Sequence, residues 1–510
     1  MTQLEYNPSY ACLYLDKETF LFYKKNTSFL KFKDQYLEVF QSKIRSLFPE
    51  ILFLSNQNIF GFKELKSDSE FEFLNKVNSE LPSSKSANED WDEVCFLYFN
   101  GLAPLLDVEL TKNIWQRHKK FLSQYSYSEN LPEGIIPRIL TREFVQSLPN
   151  GLNQSVHDFF LKNINNYDVE IFFEHPDLRQ YRLNLCPNEP RAQVLVSEIF
   201  GKSKDFPYSK LLSFIHENSN LYRSSPSWIE LELFRGCELK CTFCPRQYTE
   251  NTLDGSKFSY DEILDLKSKL SGIESKFTIC IGGMGEPLLH EDFSKIIHEL
   301  LSLNNLAELI IETSLSEHED KLFNCIELLS ENEKNKLTII INLTTLKEDR
   351  YNSIYGKKLL KKVLQNIDNL ITLLPIQNIH AQILKILEVE DEVDSYFTFF
   401  EKKKINVIFQ KYNSYAGSLE EKRVSDLTPL MREFCWHLAR DFYIHANGDV
   451  SLCKQVVNEK KIKPIGNIKN NSLEEIWKSP HINFQKSILG KHDETGLPCL
   501  NCDEWYTFNS

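Results

Sequence analysis

The twelve residues Phe234 to Pro245 read F-R-G-C-E-L-K-C-T-F-C-P and set Cys237, Cys241 and Cys244 out as C-x3-C-x2-C. This stretch restricts the chain more than any other. Coming directly after the apolar run Trp228 to Phe234, the three thiols can face one point from a loop at a strand end. Three close cysteines without a nearby fourth suit a four-iron cluster that keeps one iron open for a ligand. A structural zinc site would close itself with four protein ligands. A disulfide reading is poor because three is odd. In a reducing compartment, the twelve cysteines of this 510-residue chain read better as metal ligands and buried thiols.

With Phe243 as the aromatic, C-x3-C-x-aromatic-C resembles the cluster loop of the radical S-adenosylmethionine (SAM) enzymes. The resemblance implies a [4Fe-4S] cluster on Cys237, Cys241 and Cys244, with SAM chelated to the open iron. It further implies reductive cleavage of SAM and hydrogen abstraction from a substrate by the resulting 5'-deoxyadenosyl radical, the cofactor carrying the hard chemistry.

A second signal, I-G-G-M-G-E-P at 281–287, follows a candidate strand. Glycines let backbone approach a ligand closely, and exposed carbonyls together with Glu286 can accept hydrogen bonds from an ammonium group. The resemblance places Gly282, Gly283, Gly285 and Glu286 at the amino group of SAM. Ser314 in I-I-E-T-S and Asn342 in I-I-N-L-T-T stand where the family puts ribose- or carboxylate-binding groups. Each reads equally as a strand-end cap or a satisfied core polar group. Gln382 and Lys385 lie an odd number of residues apart, so on a strand only one of them can line a barrel.

From Trp228 onward apolar runs alternate with amphipathic segments. Strands are expected at 228–234, 277–281, 309–313, 337–343, 380–387 and 407–410. Helices are expected near 260–270, 292–303, 319–329, 359–373 and 394–403. Such alternation makes a parallel sheet with chemistry at the strands' carboxyl ends, and six repeats resemble the partial (β/α)6 barrel of the family. The fold class is therefore α/β. Residues 1–202 form an N-terminal α/β domain, 203–226 a linker, 227–425 the radical SAM core and 426–510 a C-terminal domain.

Cys435, Cys453, Cys499 and Cys502 make a second group. Asn447-Gly448 reads as a tight hairpin turn that brings Cys453 back, and Ser472 with Glu475 has capping-box spacing. Four thiolates ligate zinc or a complete four-iron cluster, and spacing alone does not choose. The arrangement resembles the SPASM domain, whose presence implies one auxiliary [4Fe-4S] cluster here. Across its length the chain resembles the spiro-SPASM proteins. The remaining cysteines, Cys12, Cys95, Cys186, Cys280 and Cys325, are scattered and read as core residues.

In the N-terminal region, 97–110 (L-Y-F-N-G-L-A-P-L-L-D-V-E-L), 123–134 and the expected closing strand at 178–189 resemble sugar cytidylyltransferases. The phosphate loop of that family is missing from residues 1–30, and its metal-binding acid appears as Asn100. A nucleoside triphosphate needs Mg2+ and basic or backbone donors, so either a degenerate copy of that fold or an unrelated α/β domain is expected.

The formal net charge of −13 argues against a broad nucleic-acid footprint. No run of 18 apolar residues and no signal peptide are visible, so no membrane partner and a cytoplasmic location are expected. The reading is thus a radical SAM enzyme acting on a peptide or a sugar precursor, fed by an electron donor such as flavodoxin or ferredoxin. The alternatives are a non-catalytic iron-sulfur scaffold or electron carrier, or a bifunctional nucleotidyltransferase. No catalytic side chain can be named from the sequence.

Overall fold

The computed structural model describes residues 7–83, 94–248, 254–426, 428–432, 434–456 and 463–506. The chain divides into two compact units, Met1–Tyr222 and Arg223–Ser510.

The first unit is built on a seven-stranded sheet. Its strands are β1 (Tyr10–Leu13), β2 (Leu52–Ser55), β3 (Lys63–Glu64), β4 (Cys95–Phe99), β5 (Tyr125–Ser128), β6 (Arg138–Thr141) and β7 (Val169–Phe172), in the order β3-β2-β1-β4-β6-β5-β7. β6 runs antiparallel to β4 and β5, and the other pairings are parallel. Two expectations need correction. The stretch 178–189 is not a strand: Arg182 takes a left-handed conformation (φ 45°), which breaks the extended run and leaves a 3-10 turn at Arg179–Tyr181 and a single bridge between Glu133 and Asn184. Nor is 203–226 a linker. It contains the helices Leu211–Glu217 and Ser219–Tyr222, which bury Leu211, Phe214 and Ile215 within the first unit.

In the second unit six parallel strands follow one another in space as in sequence: β8 (Trp228–Leu231), β9 (Phe277–Ile281), β10 (Leu306–Thr313), β11 (Leu337–Asn342), β12 (Ile379–Lys385) and β13 (Asn406–Lys411). The five expected helices connect them as Tyr260–Leu270, Phe293–Leu301, Glu319–Leu328, Leu360–Leu370 and Val393–Lys402. Residues of one parity, such as Ile229, Leu231, Ile279, Ile281, Ile339 and Ile341, are fully buried under these helices. At about 1.5–3 kcal/mol for each such side chain, this layer is what holds the strands together. The opposite parity faces the concave side. Trp228, Cys280 and Ile310 fill its base, and polar side chains line it above.

Three further strands extend the same sheet beyond β8: β14 (Asp441–Ile444), β15 (Asp449–Ser451) and β16 (Gly466–Asn467). β14 lies parallel to β8 with Asp441 opposite Trp228 and Ile444 opposite Leu231, and then turns through Asn447-Gly448 (Gly448 φ 89°) into antiparallel β15. The helix Leu473–Lys478 starts with the expected capping box between Ser472 and Glu475.

Candidate functional site

At the carboxyl ends of β8–β13 lies a cavity of about 290 Å3, lined by the three clustered cysteines, the glycine segment that follows β9 and residues of β8, β10, β11, β12 and β13. The cysteine loop is held by its backbone. Lys240 and Thr242 donate their amides to the carbonyls of Tyr355 and Ile354 (3.0 and 2.9 Å), at the end of helix Glu348–Tyr355. Arg246 donates to the carbonyls of Cys237 and Leu239 (3.1 and 3.4 Å). Phe243 meets the Tyr355 ring edge-on at 5.9 Å, while the Tyr355 hydroxyl accepts from the Thr344 amide (2.7 Å).

The glycine segment is seated directly against this loop. A Cβ on Gly285 would stand 1.8 Å from the carbonyl oxygen of Phe234, and one on Gly283, whose φ is +93°, would stand 3.1 Å from the Glu232 Cβ. The Glu286 amide donates to the Gly236 carbonyl (2.9 Å), completing the join. The Glu286 carboxylate is buried and accepts from the Thr313 hydroxyl (2.7 Å), the Ser314 amide (2.9 Å) and the Ser314 hydroxyl (2.8 Å). Burial nevertheless pushes its pKa up. Ser314 lines the cavity itself and also fastens Glu286. Asn342 lines the cavity directly and accepts from Gln382 (2.7 Å). Gln382 faces inward, while Lys385 donates to Ser425 (3.0 Å) on an exposed face.

Burial raises the Cys237 thiol to about 12 and raises Cys241 and Cys244 as well. Such thiols ionise only when a strong positive charge is supplied, which is what metal ligation does. Beside them the Glu238 carboxylate has both oxygens shut away from water with no hydrogen-bond partner among the described residues. Three thiols with one unpartnered carboxyl group beside them fit a cluster whose iron-sulfur core is cationic. Among the described residues no three His, Cys, Asp or Glu side chains gather tightly enough to hold a single metal ion.

The second cysteine group is also assembled. Cys435 is raised to about 12 by burial and by Cys502 and Cys499, and Cys453 is raised by burial and by all three of its companions. The amides of Gln455 and Glu504 donate to the sulfurs of Cys453 and Cys502 (3.4 Å each), Thr495 donates to Cys499 Sγ (3.3 Å), and Arg432 ties the carbonyls of Cys499 and Cys502. Four thiols, two buried and two half-buried, with donors already at the sulfurs of Cys453, Cys499 and Cys502, fit a fully protein-ligated cluster. The five other cysteines are buried in the cores as expected.

Sequence reasoning missed the polar lining. Glu232 pairs with Arg235 (2.8 and 3.0 Å), Arg235 reaches His445 (3.0 Å), and Glu230 pairs with Lys454 (3.2 Å). Their signal was present in the alternation W-I-E-L-E-L, which puts Trp228, Glu230 and Glu232 on one face.

Residues 231–399 match the radical SAM superfamily, and residues 435–503 match the SPASM iron-sulfur cluster-binding domain. The chain carries a radical SAM domain followed by a SPASM domain. An uncharacterized protein of Treponema pallidum is 26% identical over 355 residues, 68% of this chain and 96% of its own length. The GTP 3',8-cyclase of Clostridium botulinum is 26% identical over 190 residues, 36% of this chain and about half (55%) of the cyclase. Among solved structures, Streptococcus suis SuiB bound to the precursor peptide SuiA shares 14% identity at a TM-score of 0.41, over 58% of this chain and 74% of SuiB. Native anSMEcpe with bound AdoMet shares 17% at 0.38, over 51% of this chain and 83% of its own. The radical SAM domain implies a [4Fe-4S] cluster and SAM, and the SPASM domain implies auxiliary iron-sulfur binding. No helix among the described residues is long and apolar enough to cross a membrane.

Proposed function

We propose that the cavity at the carboxyl ends of β8–β13 is the SAM-cleaving centre and that the radical it produces acts on a peptide or a sugar precursor. The observation that carries this reading is the contact between the two loops: Gly285 against the Phe234 carbonyl fixes the glycine segment beside the three thiols. A [4Fe-4S] cluster held by Cys237, Cys241 and Cys244 would, together with SAM, supply one-electron radical chemistry able to take a hydrogen atom from a substrate.

The chain's own residues bind and orient. Cys237, Cys241 and Cys244 are the cluster ligands. The carbonyls of Gly282, Gly283 and Gly285 would accept hydrogen bonds from the ammonium of SAM. Glu286, fastened to Thr313 and Ser314, keeps that segment in register with the end of β10. Phe243, braced by Tyr355, offers an apolar surface to the adenosine, and Asn342 offers an amide to its polar groups. Cys435, Cys453, Cys499 and Cys502 hold the auxiliary cluster.

Two relatives' names bear on the substrate. SuiB is described with a precursor peptide and the cyclase with GTP, so both a peptide and a small polar molecule stand as candidates. A flavodoxin- or ferredoxin-type donor in the cytoplasm would provide the electron. The test is anaerobic reconstitution with iron, sulfide, SAM and dithionite. Formation of 5'-deoxyadenosine is expected, and its absence under every reductant would leave the protein as an iron-sulfur scaffold.

A further inference from the structure

The carboxylates that line the cavity are matched with one exception. Glu230 faces Lys454 Nζ (3.2 Å) and accepts from Trp228 Nε1 (3.3 Å). Glu232 has Arg235, Glu286 has Thr313 and Ser314, and Glu504 has Lys411 (2.6 Å). Glu312 makes no ion pair among the described residues, and the thiol of Cys280 is the group that bonds to it. It stands on β10 under Gly282, with its Oε2 3.3 Å from where a Gly282 Cβ would be. Beside Glu230 the hydroxyl of Tyr443, a residue 8% exposed, also lines the cavity and points its proton toward Glu230, leaving its oxygen free to accept.

We propose that the floor of the cavity is a binding site for a primary ammonium group of the substrate, received by Glu312 with Glu230 and the Tyr443 oxygen beside it. With both carboxylates ionised, the single cation of Lys454 leaves one negative charge uncancelled in a desolvated place. An ammonium supplies the missing charge and three N–H donors for the remaining acceptor sites of these oxygens. A hydroxyl would donate once and leave the charge standing. The acidity of Glu312 agrees, since burial and the nearby Glu230 push its pKa up to about 7. The assignment rests on reading the cavity as the SAM-cleaving centre. The ammonium can belong to an amino sugar or to a lysine side chain.

The experiment titrates the reconstituted, SAM-loaded protein anaerobically in a calorimeter with two matched pairs: D-glucosamine against D-glucose, and N-acetyl-lysine methylamide against N-acetyl-norleucine methylamide. In at least one pair the amine is expected to bind about tenfold tighter or more than its neutral partner, and the pair that discriminates identifies the source. Glu312→Gln is expected to bring that ratio to about one, and Glu312→Asp, which keeps the charge, to preserve it. A merely structural carboxylate would leave the ratio unmoved. Equal binding within both pairs by protein that makes 5'-deoxyadenosine, or an unchanged ratio in Glu312→Gln, overturns the ammonium site. Protein that makes no 5'-deoxyadenosine overturns the underlying reading instead.

Discussion

Gly285→Ala isolates the join between the two loops. The added Cβ would lie 1.8 Å from the Phe234 carbonyl oxygen, where ordinary contact starts at 3.4 Å, and 3.1 Å from the Gly236 amide nitrogen. Both obstacles are backbone, so no side chain can swing aside, and the loops must part by more than an ångström. Overpacking of this kind costs about 1–3 kcal/mol, here at the upper end. A displacement of about 1 Å at a reacting centre is worth about 100-fold in rate. The variant should therefore keep iron on Cys237, Cys241 and Cys244, melt several degrees lower, and form 5'-deoxyadenosine about 100-fold more slowly. The measurements are iron per chain, thermal unfolding and product by chromatography. Gly201→Ala is the control: it lies in helix Pro190–Lys202 with open space around its Cβ position, and should stabilise by about 0.5–1 kcal/mol. Wild-type turnover and melting in Gly285→Ala would refute the packing argument.

Replacing Cys241 with Ala should abolish SAM cleavage and lower iron by about four per chain, one cubane. Cys453→Ala should remove a similar quantity from the other site while uncoupled 5'-deoxyadenosine formation stays detectable; loss of zinc in place of iron would refute the auxiliary cluster. In the first unit His118 is buried, bonded to Ser126 (2.8 Å), and held by burial at about 3 instead of 6.5. A histidine whose folded pKa lies below its unfolded one binds fewer protons when folded. Its contribution is thus whole above pH 6.5 and drains by about 1.4 kcal/mol per pH unit as the pH falls toward 3. His118→Gln should flatten the acid side of the first unit's unfolding curve, and an unaltered acid midpoint would contradict the assignment.

Much of the barrel was legible because one face of each strand is continuous hydrocarbon. Ile229, Leu231, Ile279, Ile281, Ile339 and Ile341 announce a layer that must be covered by helices, and the five helices carry matching stripes. The two cysteine groups were legible because ligand spacing is local. What escaped was long-range or depended on backbone conformation. Lys454 reaches Glu230 across 224 positions, an adjacency that exists only because β14 pairs with β8. Tyr415 enters the cavity from a loop in which Tyr415, Ala416 and Gly417 all take positive φ (51°, 54° and 79°), a conformation that tyrosine and alanine do not advertise. Helix Glu348–Tyr355, which anchors the cysteine loop, is mostly polar and carries a weak apolar stripe. In the first unit, the left-handed Arg182 ended a run whose composition alone reads as strand.

The pairing of β14 along β8 bears on how the molecule can be dissected. A fragment stopped before Asp441 would strip the partner from the strand that leads into the cysteine loop, leaving its amides and carbonyls as a bare, adhesive margin. Shortened versions made to study SAM cleavage alone should clump in the test tube, whereas the intact polypeptide carries its own selvedge.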